Sequence, residues 1–406
     1  MEPIITRAMF DQSVSRRRVF YIPGYDPFHP RRYRELYRKE GYDQAKISGY
    51  KLALKPKKTG GPYGWHVTAT IGSAVTEADI EVLVWADIVR GSMARGILAT
   101  YVQLIRTAYA YIGSGAFFRL AGLRKGPMIA ALYPFVVLIA QLMLACLAGW
   151  GVGELIGFVQ PVLGWAAGLG VVWAALRAFK RWDNKIFAYY LMHDYAYSAQ
   201  SGGANSPELE ARMTAFRLSI RAALTAGFDE VLVVGHSSGA HLAVSILADL
   251  LREGVPEHSA KLGFLSLGQV VPMVSFLPKA KRLRADLHFL STRQDLVWVD
   301  VTAPGDGCAF ALCDPVAVTG VAPEGKLWPL VISAAFTQTL SPERWNELRR
   351  KFFRLHFQYL CAFDRPGDYD YFQITAGPLS LADRYRDRAP SKSRITRPAS
   401  GYRDMA

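Results

Sequence analysis

Between Lys125 and Arg177 the chain carries a single charged side chain, Glu154. The two uncharged runs on either side, GPMIAALYPFVVLIAQLMLACLAGWGVG and LIGFVQPVLGWAAGLGVVWAAL, hold at least 20 mostly apolar residues each. That is the length a helix needs to cross roughly 30 Å of hydrocarbon. Arg119, Arg124 and Lys125 precede the first run, and Arg177, Lys180 and Arg181 follow the second. Positive charge at both outer ends predicts a two-helix transmembrane hairpin over residues 126–182, with both termini on the cytoplasmic side. The competing readings are two core helices of a soluble protein and a hairpin that dips into one leaflet. Gln141 and Gln160 are the strongly polar side chains inside the runs, too few to suggest a transport path.

Elsewhere the sequence reads as that of a folded protein. It is 51% hydrophobic and 20% charged, which excludes a mostly disordered chain. Four cysteines in 406 residues exclude a disulfide scaffold and fit a reducing compartment. Residues 1–20 lack the apolar run of an export signal even though Arg16-Arg17-Arg18 lies among them. The net charge is +14, and residues 1–125 hold 20 Lys+Arg against 10 Asp+Glu. A basic face beside an apolar hairpin points to anionic lipid headgroups as partners. Nucleic acid is not expected, because the basic residues are not arranged around an aromatic stacking platform. Residues 382–406, rich in Arg, Ser, Pro and Asp, read as a disordered tail.

Strand-like runs are expected at Val19–Ile22, Tyr50–Leu54, His66–Ile71, Ile80–Ile88, Glu230–Val234, Leu262–Leu267 and Leu287–Ser291. Helical patterns cover 207–227 and 238–253. Strands alternating with helices predict an α/β fold with a mostly parallel sheet flanked by helices. Residues 1–125 and 183–381 would form its two parts, on either side of the hairpin.

The segment VLVVGHSSGAHLAVSILADLL places Gly235-His236-Ser237-Ser238-Gly239 between a buried strand and an apolar helix. This is G-x-S-x-G in strand–turn–helix context, where a sharp turn holds the serine above the sheet and glycines relieve crowding on either side. Here the chain resembles the α/β-hydrolase superfamily of esterases and lipases, with the hairpin as an insertion. The resemblance implies Ser237 as nucleophile and the Ser238 N–H as one oxyanion donor. It also implies an early strand whose loop supplies a second donor. Arg18–Pro27 has that layout, with Tyr25 as the expected donor, although the His-Gly pair common in lipases is missing. His241 is assigned a packing role.

In this superfamily the chain order is serine, acid, histidine. His356 follows every candidate acid and is the expected base. With HFLS read as a strand, Asp295 falls in the turn after it and is the expected acid. Asp300 is second, and Asp306 and Asp314 are weaker. The stretch from Asp295 to His356 is longer than the superfamily usually uses, which suggests a lid at about 301–340. No phosphate-binding loop or zinc spacing is present, so neither cofactor nor metal is expected. The implied function is hydrolysis of a lipid or acyl ester through an acyl-enzyme at the membrane. A thioesterase, an amidase and a catalytically inactive membrane scaffold are the alternatives.

Overall fold

The computed structural model describes residues 13–57, 60–94, 96–256 and 259–406. Residues 1–12, part of the stretch tested above for an export signal, lie outside the described residues.

Eight strands form one sheet: β1 (Arg16–Ile22), β2 (Lys51–Pro56), β3 (Gly64–Ile71), β4 (Ala74–Val82), β5 (Glu230–His236), β6 (Lys261–Leu267), β7 (Val297–Thr302) and β8 (Leu330–Ser333). Their spatial order is β2-β3-β4-β1-β5-β6-β7-β8. β3 pairs antiparallel with both neighbours, and every other pairing is parallel. The fold is therefore α/β. β1–β4 come from before the apolar hairpin and β5–β8 from after it, and the two groups meet where β1 pairs with β5.

Strand β5 lies centrally and is buried along its whole length, as its run of Val and Leu demands in a sheet covered on both faces. One face packs Val19, Leu232, Leu265 and Val299 against Tyr37, Tyr359 and Phe372. The other packs Phe20, Val231, Val233 and Phe264 against the helices Pro207–Leu224 and Ser238–Arg252.

Residues 287–291, expected as a strand, belong to the helix Lys281–Leu290. Leu283, Leu287 and Leu290 recur at helical spacing and are buried together. The strand lies further on, at β7. The expected lid at 301–340 also dissolves: it begins in β7, 315–319 form a buried helical turn, and β8 and the short helix Phe336–Thr339 lie in its last part. The tail from Ala382 is laid along the body, not disordered. Ile395 bridges to Cys313, Ala399 N–H donates to Val318 O (2.9 Å), and fully buried Arg284 binds the Asp404 carboxylate at 2.9 Å.

The apolar runs form helices Lys125–Gly157 and Pro161–Arg181, both long and apolar enough to cross a membrane. Only 28% and 17% of their most apolar stretches are buried against protein, which separates them from ordinary core helices. They touch through Gly149, Gly153, Gly164 and Gly168, where a Cβ on Gly164 would lie 2.6 Å from Gly153 O. The first helix has 33 residues, about 50 Å at 1.5 Å per residue, well beyond the hydrocarbon thickness. Its first turns pack on the α/β body through Pro127, Met128 and Ala131.

Candidate active site

Strand β5 runs into Ser237, whose backbone adopts φ 56°, ψ −122°. A non-glycine residue at positive φ is held there only by its surroundings, at a cost of about 1–3 kcal/mol. Those surroundings are the two glycines of the motif. A Cβ on Gly235 would lie 2.8 Å from Ala240 Cα, and one on Gly239 would lie 2.1 Å from Ile22 O. From Glu230 to Ala240 every residue is buried except Ser237. The turn thus exposes one hydroxyl at the C-terminal edge of the sheet. Ser237 N–H donates to Leu267 O at the end of β6 (2.9 Å), fixing the turn to the neighbouring strand.

Ser238 opens the helix Ser238–Arg252. A first-turn N–H has no partner within its own helix, and the helix dipole adds positive potential there. The loop after β1 lies directly against the serine: a Cβ on Gly24 would be 2.9 Å from Ser237 Cβ. Tyr25 is fixed in this loop by its carbonyl, which accepts from the Tyr190 hydroxyl. Asp26 accepts from the Tyr33 hydroxyl and the Phe28 N–H and pairs with Arg32.

His356 ends the short helix Phe352–His356 and is buried. Its Nδ1 lies 2.7 Å from Asp306 Oδ2. Asp306 also accepts from the Tyr359 hydroxyl (3.0 Å) and the Cys308 N–H (2.9 Å). Burial pushes its carboxyl up, but the His356 ring and these donors more than offset that and hold it below the usual carboxylate range. His356 Nε2 is buried and has no hydrogen-bond partner among the described residues, Ser237 Oγ included. Ser237, Ser238, Tyr25, His356, Gly307 and Cys308 all line one cavity of about 660 Å³.

The acid expected from sequence is elsewhere. Asp295 precedes β7 and so sits at the N-terminal edge of the parallel sheet, away from Ser237. Its carboxylate pairs with Arg293 at 2.5 Å. Asp300 lies inside β7, fully buried, accepting from Ser266 Oγ at 2.5 Å. Asp314 caps the turn Pro315–Thr319 and pairs with Lys326. The carboxylate on His356 is Asp306, which follows the C-terminal end of β7. The rule that the acid follows a strand, applied to LVWVDVT instead of HFLS, leads to this residue.

Sequence reading also passed over His236. Its ring stacks on His356 with centroids 4.9 Å apart. His236 Nε2 lies 3.1 Å from His356 O, so Nε2 carries the proton, and Nδ1 accepts from the Tyr21 hydroxyl at 3.3 Å. Burial and the neighbouring His356 push its pKa down to about 3, keeping this ring neutral. His241 lines a separate 150 Å³ cavity with Glu210 and Arg282, behind the helix and away from Ser237.

Asp306, Cys308 and His356 place donor atoms within 4.8 Å of one another, a geometry a metal could use. The chemistry fits poorly. Asp306 is committed to His356, Tyr359 and Cys308 N–H, and burial holds the Cys308 thiol well above its usual range, so it stays protonated. Comparison with known protein families, with curated proteins and with solved structures gives no match.

Proposed function

We propose that this chain is a membrane-anchored serine hydrolase of α/β-hydrolase type, acting on carboxylic esters with lipid-like acyl groups. The observation that carries the reading is the strained, singly exposed Ser237 facing the same cavity as the His356–Asp306 pair. Asp306 accepts from Nδ1–H, which leaves the Nε2 lone pair free to take the Ser237 proton. The alkoxide attacks the ester carbonyl. The Ser238 and Tyr25 N–H groups receive the negative charge that forms on the carbonyl oxygen. His356 then gives its proton to the leaving alcohol, and water releases the acyl group by the same route.

The membrane part rests on the two apolar helices, and the basic flanks support a cytoplasmic body. The lipid part rests on the cavity, part of whose wall is the base of the first apolar helix: Pro127, Ile129, Ala130 and Tyr133. A chain drawn from the bilayer would meet the hydroxyl without passing through water.

A fluorophosphonate probe tests the chemistry. Wild type should be labelled and Ser237→Ala should not; failure to label either would return the chain to the scaffold reading. Release from membranes by a carbonate wash would end the anchor.

A further inference from the structure

Two acidic side chains that the mechanism does not use line the cavity, Asp26 and Asp194. Asp194 projects from the helix Ala188–Ala199 and lines the cavity beside Tyr190, Leu191 and Tyr195. Of the other acids nearby, Asp26 is engaged by Arg32 and Tyr33, and Asp306 by His356. Asp194 makes no hydrogen bond or ion pair with any described residue. Its carboxyl is only partly buried and opens into the cavity, where it is free to hydrogen-bond a ligand.

We propose that Asp194 is a specificity-determining residue that reads the alcohol half of the substrate, and that this half carries a free hydroxyl near the scissile bond, as in a partial acyl ester of a polyol. This rests on the hydrolase reading above. Asp194 lies within the electrostatic reach of His356, the group that protonates the leaving oxygen, so it belongs on the alcohol side of the bond. Burial raises its carboxyl to about 7, opposed only in part by His356. In either protonation state it can bond a hydroxyl, donating as the acid or accepting as the carboxylate. A cationic alcohol such as choline fits less well, because Lys185, Arg350, Lys351 and Arg354 line the same cavity and His356 gains a proton during the reaction.

The test uses the full chain in detergent micelles with three esters of one fatty acid, whose alcohols are glycerol, propanol and choline. Wild type should show kcat/KM about tenfold or more higher for the glycerol ester than for the propyl ester, since a site built for a hydroxyl rejects the analogue lacking it. Asp194→Ala should bring kcat/KM for the glycerol and propyl esters to within about twofold of each other, and Asp194→Asn should keep part of the preference. A merely structural role would lower both esters together. Equal rates in wild type, an unchanged preference in Asp194→Ala, or a preference for choline would overturn the inference. Should Asp194→Ala fail to fold, the wild-type series and Asp194→Asn still decide. Hydrolysis without preference removes this inference alone. No hydrolysis and no probe labelling of Ser237 would remove the hydrolase reading and this inference with it.

Discussion

The two halves of the candidate site are held by different physics. The serine half is a backbone object: Ser237 is fixed by a turn into which Gly235, Gly239 and Gly24 let main chain and serine approach within van der Waals contact. The histidine half is a side-chain object. His356 ends a five-residue helix and owes its place to Asp306, Tyr359 and the ring of His236, drawn from three separate parts of the chain. A backbone device is local and leaves a motif in the sequence. A side-chain network is assembled across the fold and leaves none.

The largest expected effect sharpens this contrast on the histidine side. Asp306→Asn should lower kcat by about 10³–10⁴, because an amide no longer holds the productive tautomer of His356. Asp295→Asn should change kcat by less than about twofold, its carboxylate being half-exposed and paired with Arg293. Measuring both variants with one ester substrate decides the matter. Equal losses in the two, or a large loss only in Asp295→Asn, would break the assignment of the acid.

On the serine side the expected loss is in folding. Gly239→Ala puts a methyl group 2.1 Å from Ile22 O, a backbone atom of β1 that cannot swing aside. Destabilisation of about 3 kcal/mol or more is expected, together with loss of probe labelling. A denaturant midpoint equal to that of wild type would mean that the turn is looser than its geometry implies.

This contrast also sets what could be read from sequence. The elbow, β5 and the helix after it follow from an apolar run, two glycines and a helical pattern, all within 22 consecutive residues. β6 was legible for the same reason. The acid was not, because HFLS has strand-like composition while Leu283, Leu287 and Leu290 share one helix face. Reading that helix as a strand puts Asp295 after it, whereas the strand that matters is β7 and the acid after it is Asp306. The tail misled in a related way: its polar composition hides the contact between Ile395 and Cys313 and the burial of Arg284 against Asp404. The apolar helices were plain from charge alone, yet their use as a cavity wall needed the fold.

A smaller effect is expected at His236, which joins the two halves. His236→Phe keeps an aromatic ring beside His356 but loses the bond to His356 O and the acceptor for Tyr21. A fall in kcat of about 10–100-fold is expected, the usual range for groups that orient others. Because His236 stays neutral down to about pH 3, it cannot set the acidic limb of a rate profile between pH 5 and 8. That limb should have the same midpoint in wild type and in His236→Phe. A shifted midpoint would make His236 a titrating partner instead of a support.

The smallest effect concerns Asp300, the acid that lies between the two candidates along β7. Its Oδ1 accepts from Ser266, which also accepts from Trp298 Nε1 (2.9 Å), and its Oδ2 has no partner among the described residues. Burial raises its pKa to about 8, against about 3.9 for a free aspartate. Between those values the folded chain keeps a proton that the unfolded chain has released, so stability should fall as pH rises from about 4 to about 8. Asp300→Asn cannot titrate and should lose that slope. The melting temperatures of the two proteins should therefore be closest near pH 4–5 and diverge by several degrees by pH 8, with the variant higher, at about 2–4 °C per kcal/mol. Probe labelling of Ser237 should be unchanged. If the variant instead melted lower at pH 8, Asp300 would be stabilising as an anion, and a buried cation would have to face it.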